Sequence, residues 1–500
     1  MNQKKYWIIA ILFLGFLLRL YKISYQSIWL DEALSVYYSQ QTLTHIINLK
    51  GNTPPLYYLL LNIWIHIMGS SEFSIRLLSV FFGTLSVFMM YLLGARIFNN
   101  KVGIYSALLL ALSPVHIYYA QEARSYSLLF LLTLLSMYFY LKLRGGFSKR
   151  FIYGYVVSSV LLIYSHHSGI LILLAQNIHQ LTINNFKDMR RLKPWILLQT
   201  AILVFYIPWL LQLPEIISNQ TYSWIPRPNA LIIFPLIYKF TSGEVLSFTG
   251  LFLTFLYVFI VIKYPFSLEK KGLVILLPWL LIPIILPLTY SLIFTPIFQA
   301  KYALIASLPL YLLISCALFN MTLLRRRILI SLLVVLSVTS LYMQQSSVTK
   351  DPWKEVTNYI QSNIQENENI IFINSYEVMP FLYYYSPNCL KGVDSYNCAS
   401  NGSIYPINSV EQIKQVNKER IWLIISGHQY IRNLRTVLNY VYDNYDVVKS
   451  EEFLLNKKTS LFQEFYQFLS KIGVLDITYY KIEAKYLIKK HDQIAQIGSY

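Results

Sequence analysis

Apolar runs long enough to cross a membrane recur along the first 345 residues. A spanning helix needs about 20 apolar residues to cross ~30 Å of hydrocarbon. Eleven runs approach this length and predict transmembrane helices, with twelve or thirteen as the alternative counts. They lie at 6–21, 74–94, 102–119, 126–143, 151–165, 168–184, 195–213, 249–263, 272–293, 301–320 and 328–343. A further run at 230–246 is interrupted by Pro235, Lys239 and Gly243, so we interpret it as an interfacial or re-entrant helix.

The loops between these runs alternate in charge. Basic residues precede the first run and follow the second, fourth, sixth, eighth and tenth runs. The short loops between the other runs contain almost no Lys or Arg. The basic groups are Lys4–Lys5, Arg96 with Lys101, Lys142–Arg150, Lys187–Lys193, Lys263–Lys271 and Arg325–Arg327. Since Lys and Arg are retained in cytoplasmic loops, the pattern predicts a cytoplasmic N-terminus and, with an odd number of spans, an extracytoplasmic C-terminal part. The basic loops and the lack of an organelle signal fit a multi-pass protein of the bacterial inner membrane.

Two outer loops are long, and the chain becomes polar after the last span. The loop 22–73 mixes apolar and polar residues, which predicts short helices at the membrane surface. The loop 214–248 is rich in proline and aromatic residues. Beyond residue 345, strand-like runs at 369–374 and 420–426 and an amphipathic helix at 353–363 predict a small α/β domain. We therefore expect a membrane domain at 1–345 and an outer domain at 346–500, whose tail from about Asp476 we cannot assign.

Composition supports the membrane prediction. The chain is 55% hydrophobic and only 13% charged, whereas soluble domains carry about 25% charged residues. The net charge of +18 lies in short groups between apolar runs, which argues against a nucleic-acid surface. Cys389 and Cys398 are close in sequence in the outer part, where an oxidising environment would allow a disulfide between them. Cys316 lies in an apolar run.

The first candidate for chemistry is the acidic pair Asp31–Glu32, which follows the outer end of the first span. Two interpretations are open. Acidic residues favour the first turn of a helix, so the pair can simply be a solvated helix start. Alternatively, it provides a catalytic base or a metal ligand at the membrane surface.

The second candidate is the turn Tyr118–Tyr126 in the next outer loop, and the third is Lys301 at the outer end of a late span. Arg124 offers a planar donor fork that suits phosphate, and Glu122 could orient it. The turn can instead be a polar connection with interfacial tyrosines, and a lysine at a helix end often only reaches back to the interface. The adjacent His166 and His167 are a weak indication of a metal. The candidate ligands for a divalent cation are Asp31, Glu122 and His166.

These residues together resemble a known family. The sequence is similar to family 39-like members of the GT-C glycosyltransferases, which are related to protein O-mannosyltransferases and aminoarabinose lipid A transferases. The matching segments are Trp29–Ala33, Pro54–Tyr58, Gly69–Glu72 with Arg76–Leu77, Tyr119–Tyr126, Lys301–Tyr302 with Pro309, and more loosely Asp351–Glu355. The resemblance extends over about 1–345 and is most specific in the first 130 residues.

The resemblance implies a GT-C transmembrane fold and an inverting transfer of one hexose or pentose. The sugar would move from a polyprenyl-phosphate donor to a hydroxyl of a glycolipid, polysaccharide or protein. The implied base is Asp31, with Glu32 beside it, and the implied phosphate ligands are Arg124, Lys301 and Arg76. Supporting roles fall to Glu122, Tyr126, Tyr57 and Tyr58. The alternatives are a transporter or flippase of lipid-linked sugars and a non-catalytic scaffold.

Two departures from the family pattern affect these expectations. Relatives commonly have a histidine just before the paired prolines, where this chain has Gly51, Asn52 and Thr53. Metal dependence is therefore open. The late basic position is more often arginine in relatives, and Lys301 keeps its charge but lacks the bidentate fork.

Overall fold

The computed structural model describes residues 2–49, 53–184, 189–212, 225, 227–264, 270–366, 368–373, 377–391, 404–416, 418–426, 434–454 and 481–490. Two compact units make up this part of the chain. The first unit contains the residues up to Ile23 and Thr44–Ser347. The second contains Ser24–Leu43 and the described residues from Val348 onward.

Helices dominate the fold, and one sheet lies in the C-terminal part. The helices are α1 Asn2–Leu20, α2 Leu30–Ser39, α3 Leu43–Ile47, α4 Leu56–Met68, α5 Glu72–Ile97, α6 Asn100–Leu112, α7 Pro114–Ala120, α8 Tyr126–Leu143, α9 Lys149–Ser165, α10 Gly169–Asn184, α11 Met189–Leu210, α12 Ile233–Ser242, α13 Phe248–Lys263, α14 Lys270–Ile293, α15 Ser307–Phe319, α16 Leu323–Ser346, α17 Trp353–Asn363, α18 Val378–Tyr385, α19 Val410–Val416 and α20 Leu434–Asn444. The strands are β1 Asn369–Ile373, β2 Ile404–Ile407, β3 Arg420–Ile425, β4 Tyr445–Leu454 and β5 Lys481–Lys489.

Each of the eleven predicted spans coincides with a helix or with two consecutive helices. Within the described residues, six helices are long and apolar enough to cross a membrane by themselves, or up to seven if the bent pair α6–α7 is one span. The protein is thus a polytopic helical membrane protein. The interrupted run at 230–246 forms α12, whose 10 residues are too few to cross ~30 Å of hydrocarbon.

The bend between α6 and α7 measures 61° and has a local cause. Pro114 has no N–H, so it cannot donate to the carbonyl oxygen of Leu110 as a continuous helix requires. Arg19 from α1 supplies donors instead, with Nη2 3.2 Å from the Leu110 oxygen and Nη1 3.3 Å from the Ala111 oxygen. A Cβ on Gly83 would lie 3.0 Å from Arg19 Nε, so this glycine leaves room for the arginine. The bend positions the start of the turn that contains Arg124.

The second unit contains a five-stranded mixed sheet in the order β2-β1-β3-β5-β4. The two runs predicted as strands form β1 and β3, which pair in parallel. Both are almost entirely buried, as expected for parallel strands covered on both faces. The strands β5 and β4 extend the sheet in antiparallel pairing. The predicted helix at 353–363 is α17.

The unit boundary differs from the predicted domain organisation in one respect. The membrane unit ends at Ser347, close to the predicted residue 345. However, Ser24–Leu43 belong to the second unit, although the pattern of apolar runs predicts that the whole outer loop 22–73 is part of the membrane domain. Short helices do form in this loop, namely α2, α3 and α4. Cys389 is disulfide-bonded, while Cys398 lies outside the described residues. The tail from Asp476 is described only at 481–490.

Candidate functional site

The acidic pair lies in the first turn of α2, within the second unit. Trp29 has an extended backbone and precedes the helix, so Asp31 and Glu32 lie at its positive end, where carboxylates are favoured. The two neighbours differ in environment. Glu32 is fully buried, and its Oε2 atom lies 2.9 Å from Nζ of the buried Lys350. Asp31 is partly exposed. The local geometry therefore separates two carboxylates that the sequence could not distinguish.

The chain leading into α2 is fixed by the residues around Lys350 and by α18. Gln26 Oε1 accepts hydrogen bonds from the backbone N–H groups of Thr349 and Lys350, at 2.9 and 3.0 Å. The backbone N–H of Ile28 donates to the hydroxyl of Tyr384 at 2.7 Å. With the Glu32–Lys350 ion pair, these bonds hold both the entry and the first turn of α2.

Glu377 lies near both Asp31 and Asp351 in this unit. Burial raises the pKa of Asp351 to about 6. Burial also raises the pKa of Glu377, and the negative charges of Asp351 and Asp31 add to that effect. Glu377 is buried, and its Oε2 atom has no hydrogen-bond partner among the described residues. Asp351 and Glu377 therefore both retain their protons to higher pH than ordinary carboxyl groups do.

The predicted turn Tyr118–Tyr126 lies in the first unit, where it includes the end of α7, the connection 121–125 and the first residue of α8. Backbone hydrogen bonding closes it, with the N–H of Arg124 2.8 Å from the carbonyl oxygen of Glu122. Ser127 Oγ donates to the carbonyl oxygen of Tyr119 at 3.0 Å. Glu122 is almost fully buried. The guanidinium carbon of Arg124 lies 5.9 Å from the ring centroid of Tyr126, so the ring helps to position the cation.

Lys301 belongs to the same unit and approaches the same neighbourhood. It lies in the 3-10 helix Ala300–Ala306, with Nζ 5.7 Å from the ring centroid of Tyr302. Burial lowers the pKa of His166 to about 3, and the nearby positive charges of Arg124 and Lys301 contribute to this shift. The ring centroid of His166 lies 5.8 Å from that of Tyr126 and 5.4 Å from that of Tyr302, so two cation–tyrosine pairs that are distant in sequence meet at one histidine.

Of the remaining predicted residues of the first unit, Tyr57 is connected to Arg124 through Ser79, whereas Arg76 binds the chain after α1. The hydroxyl groups of Tyr57 and Ser79 are 3.0 Å apart, and Ser79 Oγ lies 3.5 Å from the carbonyl oxygen of Arg124. Tyr58 packs edge-on against Tyr57. Arg76 is buried, and its Nη1 donates to the carbonyl oxygen of Ile23 at 2.8 Å, so it fixes the chain after α1.

The three candidate metal ligands were Asp31, Glu122 and His166. Among the described residues, no three His, Cys, Asp or Glu side chains form a group that could hold a metal ion. Gly51 and Asn52, at the position where relatives have a histidine, lie outside the described residues. The described part of the chain therefore contains no recognisable ligand set, and the need for a divalent cation stays a prediction.

Two residues close to the acidic pair, Lys350 and Glu377, were not predicted from the sequence. Lys350 gave one signal, since it immediately precedes the Asp351–Glu355 segment that resembles the family. Glu377 gave none, because only the packing of α18 against α2 brings it near Asp31.

The comparisons with known proteins agree with this fold. Residues 52–211 match the model of the family described as Dolichyl-phosphate-mannose-protein mannosyltransferase. The fold is similar to ArnT from Cupriavidus metallidurans bound to undecaprenyl phosphate, with a TM-score of 0.59, 10% identity, and coverage of 96% of this chain and 98% of that chain. The apo state of that protein gives a TM-score of 0.60 at 11% identity, with the same coverage.

An oligosaccharyltransferase from Archaeoglobus fulgidus, tethered with an acceptor peptide, is also similar. Its TM-score is 0.50 at 11% identity, and the match covers 84% of this chain and 69% of that chain. The search of curated proteins by sequence found no match. The resemblance to GT-C glycosyltransferases related to protein O-mannosyltransferases and ArnT is confirmed.

Proposed function

We propose that this protein is a glycosyltransferase that uses a polyprenyl-phosphate sugar as its donor. An acceptor hydroxyl attacks C1 of the donor sugar, the bond between C1 and the phosphate oxygen breaks, and the polyprenyl phosphate leaves. Attack opposite the leaving group inverts the configuration at C1. The acceptor is a glycolipid, a polysaccharide or a protein on the outer face of a bacterial inner membrane.

The observation that carries this proposal is that Tyr126 and Tyr302, which lie beside Arg124 and Lys301, both pack within 6 Å of the His166 ring. A leaving phosphate gains negative charge as the bond to C1 breaks, and fixed cations stabilise that charge. Tyr126 and Tyr302 support the two cations from their ring faces. Two supported cations at the end of membrane helices suit a phosphate that is attached to a lipid tail.

Asp31 is our candidate for the base. An alcohol is a poor nucleophile at neutral pH, so a positioned carboxylate must accept its proton as the new bond forms. We assign Glu32 to a positioning role, because its carboxylate is occupied by Lys350 in a buried ion pair. Asp31 is partly exposed and lies one residue from this fixed point. The scheme balances without a metal ion.

The decisive experiment follows transfer of radiolabelled sugar from polyprenyl-phosphate donors in membrane vesicles. We expect the Asp31→Asn variant to lose at least about 100-fold in kcat, the range typical of losing general-base catalysis. The matched control is Asp446→Asn, which changes an exposed carboxylate of β4 and should retain full activity. Normal turnover by Asp31→Asn at normal protein level would eliminate Asp31 as the base.

The same assay distinguishes the alternatives. A transporter would move the donor across the membrane without consuming it, and a scaffold would neither move nor consume it. Absence of donor consumption by the wild-type protein with every polyprenyl-phosphate sugar would therefore refute the proposed function. Addition of EDTA to the wild-type assay tests the prediction of a divalent cation.

A further inference from the structure

A buried histidine lies between two tyrosines, each of which supports a cation. His166 occupies the turn between α9 and α10 and is 8% exposed. Its ring centroid is 5.8 Å from that of Tyr126 and 5.4 Å from that of Tyr302. Arg124 lies over the first of these rings and Lys301 over the second. The imidazole is thus the common neighbour of both cation–tyrosine pairs.

The backbone determines which ring nitrogen of His166 carries the proton. The N–H of Ser168 donates to Nδ1 at 3.1 Å, so Nδ1 is an acceptor and a neutral ring must carry its proton on Nε2. Burial lowers the pKa of His166 to about 3, with the charge of His167 and of the two cations adding to the effect. The ring is therefore neutral at physiological pH and presents Nε2–H as a donor.

We propose that His166 is a neutral third donor of the phosphate site whose charged donors are Arg124 and Lys301. This inference rests on the proposed function, because the phosphate is that of the polyprenyl-phosphate donor. Two adjacent cations already disfavour a third positive charge. A neutral N–H adds a directional hydrogen bond to the phosphate without that repulsion, and bonds to charged acceptors are stronger than neutral ones.

In the same geometry His166 binds the phosphate and does not act as a general acid that protonates it. A neutral imidazole holds its remaining proton too strongly to release it to a phosphate. The contribution of His166 should therefore be constant from pH 6 to pH 8. The titratable and charged neighbours that could alter this are His167, Tyr126, Tyr302 and the two cations.

The experiment measures the affinity of the detergent-solubilised protein for undecaprenyl phosphate, without any sugar transfer. Two variants separate the N–H from the ring. His166→Phe keeps an aromatic ring between the two tyrosines but removes the donor. His166→Gln removes the ring but keeps an N–H near the position of Nε2. The matched control is His66→Phe, since His66 is exposed at the end of α4.

We expect His166→Phe to bind undecaprenyl phosphate about 10-fold or more weakly, as for loss of a hydrogen bond to a charged group. His166→Gln should lose less than about 3-fold, and His66→Phe should be unchanged. Wild-type affinity in His166→Phe would overturn the inference. Equal loss in His166→Phe and His166→Gln would also overturn it, because the ring and not the N–H would then matter.

Arg124→Gln and Lys301→Gln separate failure of this inference from failure of the phosphate site. If both bind the lipid normally, the phosphate lies elsewhere, and the site and the inference fail together. If both are weakened while His166→Phe is normal, only the role of His166 fails. Competition by inorganic phosphate at the same concentration as the lipid would assign these donors to a free anion and overturn the lipid assignment.

A spectroscopic readout requires no variant of His166 and is independent of folding defects. Nitrogen NMR of labelled histidine should show the neutral Nε2–H tautomer at pH 7, with an Nε2 shift on addition of undecaprenyl phosphate. A cationic ring at pH 7, or an unchanged Nε2 signal at saturating lipid, would contradict the proposal.

Discussion

At the scale of single residues, burial rather than sequence position separates the roles of Asp31 and Glu32. Both fit a helix start, and both carry the same functional group. The full burial of Glu32 requires a counter-charge, which Lys350 provides at 2.9 Å. A carboxylate that holds such a partner cannot readily accept a proton. Asp31 therefore remains our candidate for the base, and Glu377 lies close enough to feel its charge.

The raised pKa of Asp351 predicts how the stability of the protein depends on pH. Burial raises the pKa of Asp351 from its usual value of about 4 to about 6. Between these values the folded protein binds more protons than the unfolded chain, so the free energy of unfolding falls as pH rises. We expect the apparent melting temperature to decrease from pH 4 to pH 6.

The Asp351→Asn variant provides the control for this effect. It has no proton to lose at this position, so its decrease in melting temperature from pH 4 to pH 6 should be smaller than that of the wild type. Identical slopes for the two proteins would show that Asp351 does not retain its proton in the folded state. Thermal unfolding in detergent at a series of pH values measures both.

At the scale of elements, side chains bind the backbone groups that are left free where helices begin or end near the candidate site. Pro114 ends α6, and Arg19 satisfies the carbonyl groups that the break exposes. Gln26 binds the two backbone N–H groups that precede α17. The helix α2 has only 10 residues, so its position depends on these contacts rather than on its own helical stability.

A double-mutant cycle tests how α2 is anchored. Glu32→Gln and Lys350→Met each leave one buried charge without its partner, which typically costs about 3–5 kcal/mol. The double variant leaves no buried charge, so we expect it to be less destabilised than either single variant. The free energy of unfolding in denaturant gives the comparison. Purely additive losses would mean that the pair does not interact in the folded protein.

At the scale of the whole molecule, the alternation of basic loops predicts the orientation in the membrane. Cytoplasmic loops should include the one between α8 and α9, and the second unit should lie outside. The single substitutions Ser148→Cys and Ser362→Cys each place a thiol at an exposed position, and the native Cys316 is buried. A membrane-impermeant maleimide added to intact spheroplasts should label Ser362→Cys only.

Permeabilised cells provide the control for this labelling, because both variants should then react. Labelling of Ser148→Cys in intact spheroplasts would reverse the predicted orientation. It would also place the proposed chemistry on the cytoplasmic face. Labelling of neither variant in intact spheroplasts would place the second unit inside and contradict the odd number of spans.

The sequence by itself predicted where the helices of the first unit lie. A long apolar run predicts a spanning helix, because hydrocarbon offers no hydrogen bonds to the backbone. A helix satisfies its backbone N–H and C=O groups within the segment itself. All eleven predicted runs are helical for this reason. The apolar, isoleucine-rich runs in the C-terminal part likewise predicted the strands β1 and β3. Local motifs were sufficient to propose Asp31, Arg124 and Lys301.

Only the tertiary structure decided how these residues are supported. The segment Ser24–Leu43 joins the C-terminal unit because its bonds go to Thr349, Lys350 and Tyr384, which lie more than 300 positions away in sequence. Likewise, His166 gained its neighbours through packing. Ion pairing and pKa shifts depend on burial and on distances between remote residues, and neither quantity can be read from local periodicity.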